Sequence, residues 1–138
     1  MPFVLDNSVV CGWFLENQAT AYTAAVGRRL QEEKAYAPPV WELELANVLR
    51  AACMRQQMTQ TAAHVVIEQV LSLPIEIDRK PVPANEILGL ALRFGLCSYD
   101  AAYLELAVRL NAPLATIDER LKRVAGEAGV SLAGGRGT

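Results

Sequence analysis

The chain has 138 residues, 52% of them hydrophobic and 20% charged, with a formal net charge of -2 at pH 7. That length suits one domain with a full core, and that balance excludes a disordered chain. The absence of any run of 18 apolar residues, a start unlike a secretory leader and three scattered cysteines together exclude a membrane span and a disulfide framework, so a cytoplasmic protein with no membrane partner is expected.

An apolar strand is predicted over residues 2–5, which puts Asp6 at its C-terminal end. Ligands of open α/β sheets bind at that end. Helices follow over residues 11–15 and 22–33, then a second strand over residues 35–37. Pro38 and Pro39 punctuate the entry to a helix over residues 41–57, since proline suits a first turn and not an interior. On this helix Trp41, Leu45, Val48, Leu49 and Ala52 form an apolar stripe. Glu44 stands beside the stripe, and Asn47 follows one turn later on the same face.

Thr59 is placed to cap the next helix, which carries Val65, Val66, Val70 and Leu71 and ends before Pro74. Residues 75–77 read as a third strand. A helix over residues 83–94 closes at Gly95, and Ser98 is placed to cap a helix over residues 101–110 that Asp100 opens, in line with Leu104 and Ala107. The fourth strand, residues 114–117, delivers Asp118 as the first delivers Asp6. A helix over residues 119–128 ends at Gly129, an edge strand over 130–132 follows, and residues 134–138 read as a flexible tail beyond a single domain, 1–133. Strands separated by helices favour a parallel sheet covered by helices with right-handed crossovers.

Asp6, Glu44, Asp100 and Asp118 therefore converge, in expectation, on one site. Burying a carboxylate costs several kcal/mol, on the order given for unpaired charges, unless a partner or metal compensates it. Arg50 and Arg120 read as lying off the relevant faces, which favours a hard cation with oxygen ligands. Asp6 and Asp118 read equally as helix N-caps, and Asp100 as a complement to a helix dipole. Glu44, inside a helix among apolar neighbours, has no such alternative.

Cys11, Cys53 and Cys97 fit reduced, buried thiols, and His64, the sole histidine, fits a structural or surface role. Setting the four acids aside leaves 11 acidic against 13 Lys plus Arg, a remainder of +2, so an acidic chain does not exclude a nucleic-acid partner. Arg28, Arg29, Lys34, Arg50, Arg55, Lys122 and Arg123 are available for phosphate contacts. Stripes with Val26 and Leu30, or Val65, Val66 and Val70, serve either the core or a partner helix.

Four segments carry a resemblance: Val4-Leu5-Asp6-Asn7-Ser8, Glu44-Leu45-Ala46-Asn47-Val48-Leu49, Ser98-Tyr99-Asp100-Ala101-Ala102-Tyr103-Leu104 and Ala115-Thr116-Ile117-Asp118-Glu119-Arg120-Leu121. In this order and spacing they resemble PIN-domain ribonucleases, most closely VapC-type toxins. The resemblance implies a three-layer α/β/α fold with a central, mostly parallel sheet of four to five short strands. It also implies an endoribonuclease dependent on Mg²⁺, for which Mn²⁺ substitutes, that hydrolyses RNA to a 5′-phosphate and a 3′-hydroxyl. By this likeness Asp6 and Asp100 are principal metal ligands, Glu44 a ligand or a base, and Asp118 a ligand of the metal or its waters. Ser8, Asn47 and Thr116 match supporting polar positions. The implied partners are RNA, a VapB-type antitoxin, a second copy of the chain in a homodimer, and operator DNA reached only through the antitoxin complex. Two other readings stand beside it: a non-catalytic interaction module on the same fold, and a phosphohydrolase with Asp6 as nucleophile, which the Ser8 two residues on disfavours.

Overall fold

Phe3–Leu5 (β1) is a run of three residues with no solvent exposure, as a strand covered on both faces requires. It pairs in parallel with Ala35–Ala37 (β2) through Phe3↔Ala35 and Val4↔Tyr36, and with Leu114–Ala115 (β4) through Val4↔Leu114 and Leu5↔Ala115. Ile75–Ile77 (β3) pairs in parallel with β2, so the computed structural model, which describes residues 1–134, holds a four-stranded sheet in the order β3-β2-β1-β4. The expected α/β architecture with a central, mostly parallel sheet of four to five strands is present, here with four strands, all parallel.

The helices are Asn7–Phe14 (α1), Ala21–Arg29 (α2), Val40–Met54 (α3), Gln60–Leu71 (α4), Ala84–Phe94 (α5), Ser98–Leu110 (α6) and Glu119–Glu127 (α7). Strand order runs from β1 outward to β2 and β3, then returns across β1 to β4. With right-handed crossovers this puts α1 to α4 on one face and α5 and α6 on the other. It also opens a crevice between the ends of β1 and β4, where the order reverses. Trp41, Tyr103, Leu104, Leu106 and Leu121 fill the core between layers, each no more than 1% exposed.

Several boundaries differ from the sequence expectations. α1 starts at Asn7 rather than residue 11, because Asp6 already takes the extended N-cap conformation. A 3-10 turn at Glu16–Gln18 has no counterpart in the apolar pattern. α2 ends at Arg29 and α3 at Met54, short of the expected 33 and 57, the latter followed by Gln56 at φ 60°. α6 starts at Ser98 with Cys97 as its N-cap, so Ser98 is not the cap, and no side chain caps this helix. β4 stops at Ala115 instead of residue 117, since Thr116 turns its hydroxyl toward Asp6 and Asp118. The expected edge strand over 130–132 is a single parallel bridge, Leu114↔Leu132. Gly95 closes α5 at φ 66°, as its lack of a Cβ allows.

Close packing sets the α1–α2 pair. A Cβ on Gly12 would lie 2.5 Å from Thr23 Cγ2, and Trp13 Nε1 donates to the Thr23 carbonyl at 2.7 Å. Arg29, at the end of α2, stacks 4.7 Å from the Phe3 ring, pairs with Glu33 and donates to the carbonyl of Gly134 at 2.6 Å. The remainder of the expected tail, residues 135–138, lies outside the described residues. No single helix among the described residues is long and apolar enough to cross a membrane.

Candidate active site

Asp6 occupies the N-cap position of α1 yet makes no side-chain cap bond. Its backbone N–H still donates to the Ala115 carbonyl at 3.0 Å, which holds it at the β1–β4 crevice. Its side chain, 6% exposed, turns to two hydroxyls: Ser8 Oγ and Thr116 Oγ1 donate to Asp6 Oδ2 at 2.6 and 2.7 Å. Those hydroxyls are themselves fixed, for Ser8 Oγ accepts the Ile117 N–H at 3.1 Å and Thr116 Oγ1 the Asp118 N–H at 3.0 Å. One carboxylate oxygen is thus fully held, and Oδ1 takes no hydrogen bond from the described residues. The capping reading of Asp6 fails on this geometry.

Glu44 lies half-buried on α3, and Tyr103 of α6 donates its phenol to Glu44 Oε1 at 2.6 Å. The bond crosses between helices that cover opposite faces of the sheet. Asp100 is half-buried in the first turn of α6, with Cys97 at the N-cap before it. Asp118 is exposed and caps α7, its Oδ1 accepting the Leu121 N–H at 2.9 Å. The capping reading of Asp118 therefore holds, and a helix N-terminus beside the crevice is a second use of the same residue.

Burial is the main force on three of these acids. It raises Asp6, Glu44 and Asp100 above the ordinary carboxylate range. Hydrogen bonds from Ser8 and Thr116 pull Asp6 back, as those from Tyr103 and Cys97 do for Glu44 and Asp100. Mutual repulsion then raises them again: Asp6 feels Asp100 and Asp118, Glu44 feels Asp6 and Asp100, and Asp100 feels Asp118. Arg120, expected off this face, does act on Asp100 and lowers it, so the site is not wholly without a basic neighbour.

The four acids thus share one electrostatic neighbourhood. They do not form a closed cradle: among the described residues no three His, Cys, Asp or Glu groups gather tightly enough to hold an ion by themselves. Such an open set still suits Mg²⁺, which binds through one or two carboxylates and keeps several waters or phosphate oxygens. Asp6 Oδ1, free of other bonds beside a fully bonded Oδ2, is the clearest oxygen for it, and all-oxygen donors fit a hard cation.

Of the supporting residues, Ser8 and Thr116 are bonded to Asp6, whereas Asn47 is exposed and its side chain makes no hydrogen bond among the described residues. Tyr103 escaped the sequence reading as a site residue, although its spacing of one turn from Asp100 was a signal. Cys97 was expected buried and is exposed, Cys53 is intermediate and Cys11 buried. His64 is exposed on α4, as are neighbouring Val65 and Leu71, while Val26, Leu30, Val66 and Val70 are core.

A family model described as PIN domain matches residues 3–127. The chain is 36% identical over 118 residues to Ribonuclease VapC12 of Mycobacterium tuberculosis, strains CDC 1551 / Oshkosh and ATCC 25618 / H37Rv, covering 86% of this chain and 88% of that relative. It is 29% identical over 99 residues to Ribonuclease VapC1 of the same organism, covering 70% and 72%. Among solved structures, PAE2754 from Pyrobaculum aerophilum matches with a TM-score of 0.66 at 21% identity over 89% of this chain and 86% of that one. VapBC2 from Rickettsia felis, bound to a DNA fragment from their promoter, matches with a TM-score of 0.65 at 15% identity over 96% and 98%. At those identities the two structures bear on the fold.

Proposed function

This chain belongs to the PIN-domain family, and on that premise we propose that it is a metal-dependent endoribonuclease, the toxin of a VapBC-type pair. The carrying observation is the set of acids from four remote segments that meet beside the β1–β4 crevice: Asp6 feels Asp100 and Asp118, and Glu44 feels Asp6 and Asp100, while Ser8 and Thr116 hold one oxygen of Asp6. Homology to the VapC ribonucleases of M. tuberculosis supports the nuclease class.

Asp6 and Asp100 are the residues to hold Mg²⁺, or Mn²⁺ in its place, with Asp118 contributing directly or through water. The ion, when bound, supplies Lewis acidity toward a phosphoryl oxygen and a lowered pKa for water. Ser8 and Thr116 fix one oxygen of Asp6 so that the other keeps its aim. Tyr103 fixes Glu44 Oε1, which leaves Oε2 to accept the proton from the water that attacks the phosphate. Cleavage leaves a 5′-phosphate and a 3′-hydroxyl.

The partners in this reading are RNA, a VapB-type antitoxin, a second copy of the chain, and operator DNA through the antitoxin complex. Cleavage of RNA by the purified, antitoxin-free chain in Mg²⁺, lost in EDTA and restored by Mn²⁺, is the expected result. Equal inactivity with and without metal would transfer support to a non-catalytic binding module.

A further inference from the structure

A cavity of about 310 Å³ opens at the C-terminal ends of β2 and β3, on the same end of the sheet as the acids. Pro38 and Val40 at the start of α3, Pro81 and Val82 from the β3–α5 connection, and Ala102 of α6 give it apolar walls. Arg109, Glu105 and Asp78 also line it. Arg109 donates to Glu105 through Nε at 2.8 Å and Nη2 at 3.1 Å, and to Asp78 through Nη1 at 3.2 Å and Nη2 at 3.0 Å. One N–H of Nη1 is left over. Glu105 is 6% exposed, so this floor is rigid. Exposed Arg79 and Lys80 stand among the lining residues.

The cavity adjoins the candidate active site. Val40 lies one turn before Glu44 on the same face of α3, about 6 Å along the axis, and Ala102 directly precedes Tyr103 in α6. The Glu44–Tyr103 hydrogen bond joins these same two helices.

We infer that this cavity is a subsite for one unstacked base of the RNA beside the phosphate that is cut, an inference that rests on the ribonuclease reading above. Its volume lies at the small end of small-ligand pockets, which suits one nucleoside and nothing longer. On the floor two carboxylates offset the charge of Arg109, while Arg79, which pairs with Glu42, and Lys80 are exposed, so a phosphate is held outside and a neutral base on the floor. Proline and valine walls take the base faces, while the spare Nη1 N–H and the carboxylate oxygens meet its edge. Lys80 is placed for the backbone phosphate, a contact that positions without reading sequence. Recognition of splayed single-stranded bases in such pockets is the usual route to RNA specificity.

The test uses RNA oligonucleotides with a single abasic ribose stepped along the strand, bound to the Asp6→Asn chain so that they stay uncut, and cut by the chain with Asp6 intact. One abasic position next to the cleaved bond is expected to lower affinity by about five- to a hundredfold, the range for loss of one stacked base. Val82→Trp, which fills the cavity, is expected to lower affinity for the intact strand similarly and to make that abasic position harmless. If Val82→Trp does not fold, Lys80→Glu on the exposed rim replaces it and is expected to weaken binding wherever the base stands. Cleavage by the chain with no abasic position mattering, or an abasic penalty untouched by Val82→Trp, overturns the subsite alone. So does a Val82→Trp chain that binds RNA normally but loses a VapB-type antitoxin peptide, which would assign the cavity to protein. A chain that neither binds nor cuts RNA overturns the ribonuclease reading first.

Discussion

Replacing Asp6 with Asn separates its structural from its metal-binding role in one substitution. An Asn Oδ1 can accept the Ser8 and Thr116 hydroxyls that Asp6 Oδ2 accepts at 2.6 and 2.7 Å, so the β1–β4 junction stays bonded. The change removes a buried negative charge whose pKa is raised by burial first and then by Asp100 and Asp118. Without metal the variant is therefore expected to be more stable than the parent, because the desolvation and repulsion that burden the Asp6 carboxylate are relieved. In Mg²⁺ the order changes, because the parent gains about 2.7 kcal/mol at a concentration a hundred times its Kd and the variant gains almost nothing. Thermal melts in EDTA and across a Mg²⁺ titration, run beside cleavage of a fluorescent RNA, read all three effects. A variant that keeps the parent's Mg²⁺ shift, or its cleavage rate, refutes the assignment of Asp6 as a ligand.

The pH dependence has two limbs of opposite sign. Asp6, Glu44 and Asp100 are raised by burial, so they bind protons more readily folded than unfolded, and stability in EDTA should fall as pH rises from the ordinary carboxylate range through their raised values. Asp78 is lowered, chiefly by its hydrogen bond with Arg109; its contribution is present above the ordinary value and lost as pH falls through its folded one. Melts that are flat on the first limb, or unaltered there by Mg²⁺, would contradict the coupled cluster. Asp118→Asn should keep the α7 cap and lower cleavage, whereas Asp118→Ala should also lose about 1 kcal/mol of stability; full activity in the Asn variant would leave Asp118 a cap alone. Gly12→Ala should cost about 1–3 kcal/mol by overpacking against Thr23, read by urea unfolding, and a cost near zero would contradict the α1–α2 approach.

The resemblance to PIN-domain proteins, carried by four short segments, is matched by the family model over residues 3–127. Short-range patterns carried much of the fold. Phe3–Leu5, Ala35–Ala37 and Ile75–Ile77 are strands because brief apolar runs between breakers suit a buried parallel sheet, and Gly95 ends α5 through its own backbone freedom. Helix starts were less legible. At Asn7 and Ser98 polar residues open the helix, so the apolar period begins later than the hydrogen bonding does.

The sequence by itself determined that acids stand at the ends of β1 and β4 and beside the stripe of α3, since strand alternation and helical period are properties of neighbours in the chain. Only the tertiary structure decided what each acid does there. Thr116 reaches Asp6 across 110 residues, and Tyr103 reaches Glu44 across 59. Asp118 caps its own helix while Asp6, at an equivalent cap position, does not. Which oxygen is held and which is left free depends on side chains that meet only when the layers close around the sheet, and no local pattern records that meeting.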